Sequence, residues 1–233
     1  MIVTVHQPNL FPWLGYFDKM ARADLFILLD NVQFTKRGFQ NRVKVKGPRG
    51  EQWLTVPVKT KGRYFQQTKE VEIDKEQDWK KDHVHTLATL YGGSSGFADI
   101  MPLLEELYMR PHDKLIDLTI PGIALIKDLL GIDTPLVLAS QLGAEGNNSA
   151  MICGLVKAAG GSTYLSGPSG RTYLDEAVFA EAGIQVEYHR FSPPVYPQRF
   201  GPFVEGLSSL DYLFNEPGLE QWKQRNHRAE DIR

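Results

Sequence analysis

Two rhythms of hydrophobic and polar positions run along this chain. Ile2 to Val5 and Leu25 to Leu29 are short, nearly continuous apolar runs, the pattern of strands buried on both faces. Between them Trp13, Tyr16, Phe17 and Met20 fall on one helical face, so Pro12 to Arg22 reads as a helix. Pro8 stops the first run, because proline cannot donate to a ladder and biases Gln7 toward extended geometry. Parallel strands need a crossover, and a helix of this length supplies one. Further strands are predicted at Pro135 to Ala139, Thr163 to Leu165 and Ile184 to Phe191. Helices are predicted at Lys75 to Tyr91, Phe97 to Tyr108, Lys114 to Leu130, Ser149 to Ala159 and Leu207 to Asn215. The pattern predicts an α/β fold: a parallel-sheet core flanked by helices, its strands near Ile2, Leu25, Pro135, Thr163 and Ile184. A small antiparallel β excursion is predicted from Arg42 to Ile73, with a hairpin turning at Gly47-Pro48-Arg49-Gly50 and a short strand at Val71 to Ile73. All of this reads as one domain over residues 1–233.

Local signals sharpen the expectations. Pro121-Gly122 should kink or interrupt the helix that ends at Gly131, a natural C-cap. Asp74 can cap the helix that follows it. Ser140 to Gly143 continues as loop through Glu145 to Asn148. Ser192 to Gln198, with its prolines, must be extended. Residues 218–233 are polar and mixed in charge, a frayed helix or a partly disordered end.

Composition narrows the function classes. The 233 residues are 42% hydrophobic and 23% charged, a globular balance with a formal net charge of -2. Without a basic excess, non-specific nucleic-acid binding is not expected. Cys153 is the sole cysteine, so no intrachain disulfide can form, which fits a reducing compartment. The start lacks a basic n-region followed by a long apolar stretch, and no segment suits a bilayer span, so a soluble cytoplasmic protein is expected.

The chemistry gathers after the first two strands. His6, Gln7 and Asn9 follow one, and Asp30, Asn31 and Gln33 follow the other. Parallel α/β sheets bind ligands at the carboxyl ends of their strands. Asn, Asp and Pro are also ordinary turn residues, but Gln and His are less so, and Lys36, Arg37, Gln40, Asn41 and Arg42 come next. The basic strand Arg42, Lys44, Lys46 and the loop cations Lys59, Lys61 and Arg63 fit either a solvated edge or an anion patch. A second glycine-rich site is Ser166-Gly167-Pro168-Ser169-Gly170, between a strand and a helix expected to open near Thr172 or Tyr173. That order suits a phosphate cradle or a tight turn, and it lacks the Gly-Lys-Ser ending of a P-loop. His83 and His85 are two apart, on different helix faces, so no metal site is expected.

His6-Gln7-Pro8-Asn9 with Pro12-Trp13-Leu14-Gly15-Tyr16-Phe17 resembles the opening signature of the WbqC-like family. Asp30-Asn31-Val32-Gln33-Phe34, Tyr164-Leu165-Ser166-Gly167, Ser169-Gly170, Tyr173-Leu174, Pro194-Val195-Tyr196-Pro197-Gln198 and Leu207 to Asn215 agree, which extends the resemblance over nearly the whole chain. It implies a place among bacterial surface-polysaccharide (O-antigen) enzymes that make or decorate unusual sugars, and it carries over no catalytic residue. The implied reaction is amide-forming acyl or aminoacyl transfer to the amino group of a nucleotide-linked sugar. His6 is then the candidate base. Gln7, Asn31, Gln33 and Asn41 would orient hydroxyls or stabilise an oxyanion, and Arg37 and Arg42 would hold phosphate or carboxylate. Ser166, Gly167, Ser169 and Gly170 would take a second phosphate, with Asn9, Tyr173, Tyr196 and Gln198 as further substrate contacts. Partners are therefore a nucleotide-linked sugar and an acyl or amino-acid donor. The cofactor is undetermined and an oligomer is left open. The start is also similar to the pantothenate synthetase and nucleotidylyltransferase superfamily. Its triphosphate-binding His-x-Gly-His motif is here Trp13-Leu14-Gly15-Tyr16, with both histidines missing. ATP-dependent adenylation and non-catalytic sugar-nucleotide binding are the alternatives.

Overall fold

The computed structural model describes residues 1–144, 146, 148–219 and 222. The chain divides into two compact units. The first comprises Met1–Pro8, Gly15–Val32 and Ile132–Ser192. Its sheet holds β1 (Ile2–His6), β2 (Leu25–Leu28), β5 (Leu136–Leu138), β6 (Thr163–Ser166) and β7 (Gln185–Tyr188). All neighbours run parallel, in the order β5-β2-β1-β6-β7. These are the strands the apolar runs predict.

Alternation along each strand sends side chains to opposite faces. Val3, Val5, Ile27 and Tyr164 enter a core with Ile152, Leu155 and Val156 of α6 (Asn148–Ala158) and Phe179 of α7 (Glu176–Glu181). On the other face Tyr16 of α1 (Leu14–Ala21) packs on Phe26, with ring centroids 5.0 Å apart. Covering on both sides explains why these strands read as unbroken apolar runs. Asp30, buried at the end of β2, accepts from the amide and hydroxyl of Ser140 at 2.9 and 2.5 Å. That pins the start of α5 (Ala139–Leu142), a short helix where a loop was expected. Residues 145 and 147 of that loop lie outside the described residues.

The second unit comprises Asn9–Leu14, Gln33–Gly131 and the chain from Pro193 onward. Its hairpin pairs β3 (Arg42–Gly47) with β4 (Gly50–Thr55). Beyond it, the expected strand at Val71 to Ile73 exists only as isolated bridges, Val58 to Ile73 and Glu72 to Lys114. The helices are α2 (Trp79–Tyr91), α3 (Phe97–Met109), α4 (Ile116–Leu129) and α8 (Ser209–Asn215). α2 begins later than predicted, since Asp74 instead accepts from the amide of Glu76 in a local turn. α4 runs unbroken through Pro121-Gly122, contrary to expectation. Gly122 lies where Phe11 packs: a Cβ there would sit 2.9 Å from the ring. Gly131 ends the helix with φ +67°. Ser208 caps α8, its hydroxyl accepting from Leu210 at 3.2 Å. Of the expected frayed end, Trp222 is buried and donates its indole N–H to Leu130 O at 3.0 Å; residues 220, 221 and 223–233 lie outside the described residues. Among the described residues no helix is long and apolar enough to cross a membrane.

Candidate functional site

The sheet order fixes where a ligand would gather in the first unit. β1 leads outward to β2 and β5 on one side, and the chain then returns to place β6 and β7 on the other. The switch point therefore lies between β1 and β6, and open α/β sheets bind ligands beyond the strand tips at such points. His6 ends β1 and Ser166 ends β6. Leu29 donates to His6 O at 2.8 Å, which keeps the tip of β2 and the following Asn31 alongside. The structure thus brings His6, Gln7, Asn31, Ser166 and Gly167 to adjoining strand tips.

The imidazole of His6 meets the Tyr16 ring edge-on at 4.7 Å, and its Nδ1 faces Gln7 O at 3.2 Å. Burial, then the nearby Lys19 charge, lowers its pKa to about 3, against a smaller upward pull from Gln7 O. His6 is therefore neutral at physiological pH. Lys19 is itself buried, donating to Val5 O at 3.0 Å, and burial lowers its pKa to about 7. Beside it on α1, buried Asp18 accepts from His189 Nε2 at 2.6 Å and Arg22 Nε at 2.8 Å. His189 follows β7 and donates its backbone N–H to Ser166 O at 2.8 Å.

Asp18, Lys19 and His189 were not singled out from the sequence. Two signals mark them: a charged pair inside an apolar helix face, and a histidine placed after β7 as His6 is placed at the end of β1.

The glycine-rich loop differs from its expected form. Pro168–Thr172 is a 3-10 turn, and α7 opens only at Glu176, capped by Asp175. Ser166 is fully buried and donates to Gly167 O at 3.1 Å. A Cβ on Gly170 would fall 2.1 Å from Ser166 Oγ, so that glycine makes room for the serine. Ser169 and Tyr173 are exposed.

The other nominated residues belong to the second unit: Asn9, Gln33, Arg37, Asn41, Arg42, Tyr196 and Gln198. Arg37, Asn41 and Arg42 line one pocket of about 230 Å³. Gln33 is exposed and donates to Tyr64 O at 2.9 Å. Tyr196 is buried and donates to Asp211 Oδ2 at 2.8 Å, and Gln198 bonds Tyr196 and both backbone groups of Val204. These two side chains are engaged in a buried network that Tyr91 closes by donating to Asp211 Oδ1 at 2.7 Å. The basic strand is divided too: Lys44 pairs with Glu51 at 2.6 Å, whereas Lys46 is buried with its ammonium on Pro202 O.

Three nominated asparagines share one property. The side-chain oxygens of Asn9, Asn31 and Asn41 are buried without a hydrogen-bond partner among the described residues. Buried acceptors are nearly always satisfied by protein or by ordered water, so each oxygen can take a donor from water or from a ligand. Among the described residues no group of His, Cys, Asp and Glu is arranged to hold a metal ion.

No solved structure matches the chain. "Uncharacterized protein Rv1507c" of Mycobacterium tuberculosis is 38% identical over 215 residues, covering 91% of this chain and 93% of its own. The model of the WbqC-like protein family matches residues 7–222, nearly the full length. The chain belongs to the WbqC-like protein family.

Proposed function

We propose that residues 1–233 act as one cytoplasmic WbqC-like domain in bacterial surface-polysaccharide (O-antigen) sugar biosynthesis. Its reaction is amide formation: the amino group of a nucleotide-linked amino sugar attacks the carbonyl carbon of an activated acyl or aminoacyl donor such as a thioester. The C–N bond forms as the C–S bond breaks, and the thiol leaves with the amine's proton. The observation that carries this reading is the gathering of His6, Gln7, Asn31, Ser166 and Gly167 at adjoining strand tips of the first unit, where the Asn31 side-chain oxygen is buried without a partner among the described residues. A polyhydroxylated ligand offers many O–H donors, and each buried acceptor left unpaired costs about 1–3 kcal/mol. The switch point beside His6 supports a nucleotide-linked substrate, because that is where parallel α/β sheets bind nucleotides.

An attacking amine must lose a proton. His6 is the proposed base at the tip of β1, but its depressed pKa makes it a weak one. The nearby Lys19 ammonium, held by Val5 O, helps keep the imidazole neutral and so able to accept a proton. Gln7 and Asn31 would orient the sugar, and Gly167 and Ser169 would flank its phosphates. The test is mass-spectrometric detection of an amide product from purified protein, a panel of nucleotide-linked amino sugars, and acyl-thioester or amino-acid donors. Full activity in a His6→Ala variant removes His6 from the mechanism.

The same sheet order favours one other reading, ATP-dependent adenylyl transfer. Release of pyrophosphate in step with product separates it from simple acyl transfer. Binding without turnover under every donor would leave a sugar-nucleotide binding protein.

A further inference from the structure

The second unit holds a pocket whose chemistry is narrower than a general basic surface. Lys36, Arg37 and Arg42 supply its cations, Asn41 is a polar wall, and Phe34 and Val58 are apolar walls. Asn41 is nine-tenths buried, and its amide orientation is set because Nδ2 donates to Val56 O at 2.9 Å. The atom left over is therefore Oδ1, an acceptor without a donor among the described residues. The neighbouring residue has the complementary lack: Arg42 Nε is a buried donor without an acceptor among the described residues.

The arginine is not loosely placed. Its guanidinium lies over Trp53 with 4.2 Å to the ring centroid, and one terminal nitrogen donates to Arg37 O. Lys44 reaches the same ring at 5.4 Å, and Phe39 packs beside it at 5.8 Å. Arg37 has φ +64°, a left-handed conformation that side-chain-bearing residues rarely adopt. Backbone held in such a region clusters at ligand sites.

An occupant must then bring an anion to the cations and a hydroxyl or amine hydrogen to Asn41. The pocket is open to solvent, and its volume of about 230 Å³ is smaller than the roughly 300–1,000 Å³ of drug-sized sites. It suits one ring with its phosphate rather than an entire nucleotide. We propose that this pocket of the second unit is a binding site for a phosphorylated pyranose: Arg37, Arg42 and Lys36 hold the phosphate and Asn41 Oδ1 accepts from a ring hydroxyl. Trp53 is a positioning residue that aims Arg42. This assignment rests on the sugar reading of Asn41 Oδ1 and narrows the expected anion at Arg37 and Arg42 to a sugar phosphate held in one pocket with Lys36.

Glucose 1-phosphate, inorganic phosphate and glucose, titrated calorimetrically into the full chain, test it. Glucose 1-phosphate should bind more tightly than either fragment, because neither phosphate nor glucose meets both unpaired groups. Asn41→Asp places a negative charge against the phosphate and should weaken glucose 1-phosphate roughly tenfold or more, as should Arg42→Gln. Lys36→Gln, an exposed change that leaves the fold alone, should weaken both phosphates equally. Trp53→Leu should weaken glucose 1-phosphate binding, while Trp53→Phe, which keeps a ring face, should restore most of it. Unchanged affinity in Lys36→Gln together with Arg42→Gln overturns the pocket assignment, as does equal binding of phosphate and glucose 1-phosphate. Variants that keep full glucose 1-phosphate affinity while the native chain forms amides would overturn the pocket and leave the function standing. Variant-sensitive binding without amide formation by the native chain would leave the pocket standing and end the function.

Discussion

His189 Nε2 lies 2.6 Å from Asp18 Oδ2, linking the carboxyl end of β7 to α1. The same carboxylate oxygen accepts from Arg22 one helical turn along, at 2.8 Å. Both Asp18 and His189 are buried, and His189 also donates its backbone N–H to Ser166 O. One carboxylate thus holds α1 to the strand tips on the β6 side of the switch point.

Asp18→Asn should therefore be destabilising. Burial pushes the Asp18 carboxyl up, but the hydrogen bonds and charges of His189 and Arg22 together hold it below its ordinary range. A depressed carboxylate contributes stability above its unfolded pKa of about 3.9, and that contribution fades as pH falls through the folded value. Breaking such a buried pair costs about 3 kcal/mol at neutral pH. Urea denaturation should show that gap at about pH 7 and a narrower one as pH drops below about 4.

Lys19 has the opposite sign. Its folded pKa of about 7 lies below the unfolded value, so the unfolded chain binds the extra proton between them. Stability should rise with pH from about 7 to about 10 for this residue, and the burial penalty is fully present below 7. Lys19→Met should stabilise the protein at pH 6, with the advantage shrinking in alkaline buffer. It should also raise the His6 pKa, because the Lys19 charge helps depress it; NMR titration of the imidazole reads that shift.

Gly170→Ala should destabilise the protein by about 1–3 kcal/mol, the usual range for overpacking. The new methyl would meet Ser166 Oγ at 2.1 Å. Adding Ser166→Ala removes that oxygen, so the double variant should recover much of the loss in thermal melts. If the loop instead used Gly170 only for ligand approach, the single variant would melt normally and lose binding.

Tyr196→Phe separates structure from recognition in the same way. It deletes a donor to the buried Asp211 carboxylate while keeping the ring against Tyr212 at 4.9 Å. A hydrogen bond to a charged acceptor contributes about 1.5–3 kcal/mol, so stability should drop by about that much. Affinity for a nucleotide-linked sugar should not change, and a selective loss of affinity would restore Tyr196 as a substrate contact.

The sheet was legible because burial on both faces writes each strand as an apolar run, and Ile2, Leu25, Pro135, Thr163 and Ile184 mark all of its members. Elements held by long-range contacts were less legible. Pro121 lacks a donor, yet α4 continues where Gly122 accepts the Phe11 ring. Ser166-Gly170 has the composition of a phosphate loop, but the close approach that its second glycine permits is to a serine of the same chain. Lys46 looks like its strand neighbours and is buried, because only the fold brings Pro202 O to its ammonium. Turn chemistry and ligand chemistry use the same residue types, so the internal hydrogen bonds of Tyr196 and Gln198 were not legible before the fold brought Asp211 and Val204 to them.

Hydrogen–deuterium exchange with and without a nucleotide-linked amino sugar tests most directly where the substrate sits. The expected result is slowed exchange in the first unit's segments around His6–Gln7, Asn31 and Ser166–Gly167, because a bound nucleotide-linked sugar covers those strand tips. Saturating ligand that leaves these segments unprotected, or protects only segments remote from them, would contradict the account.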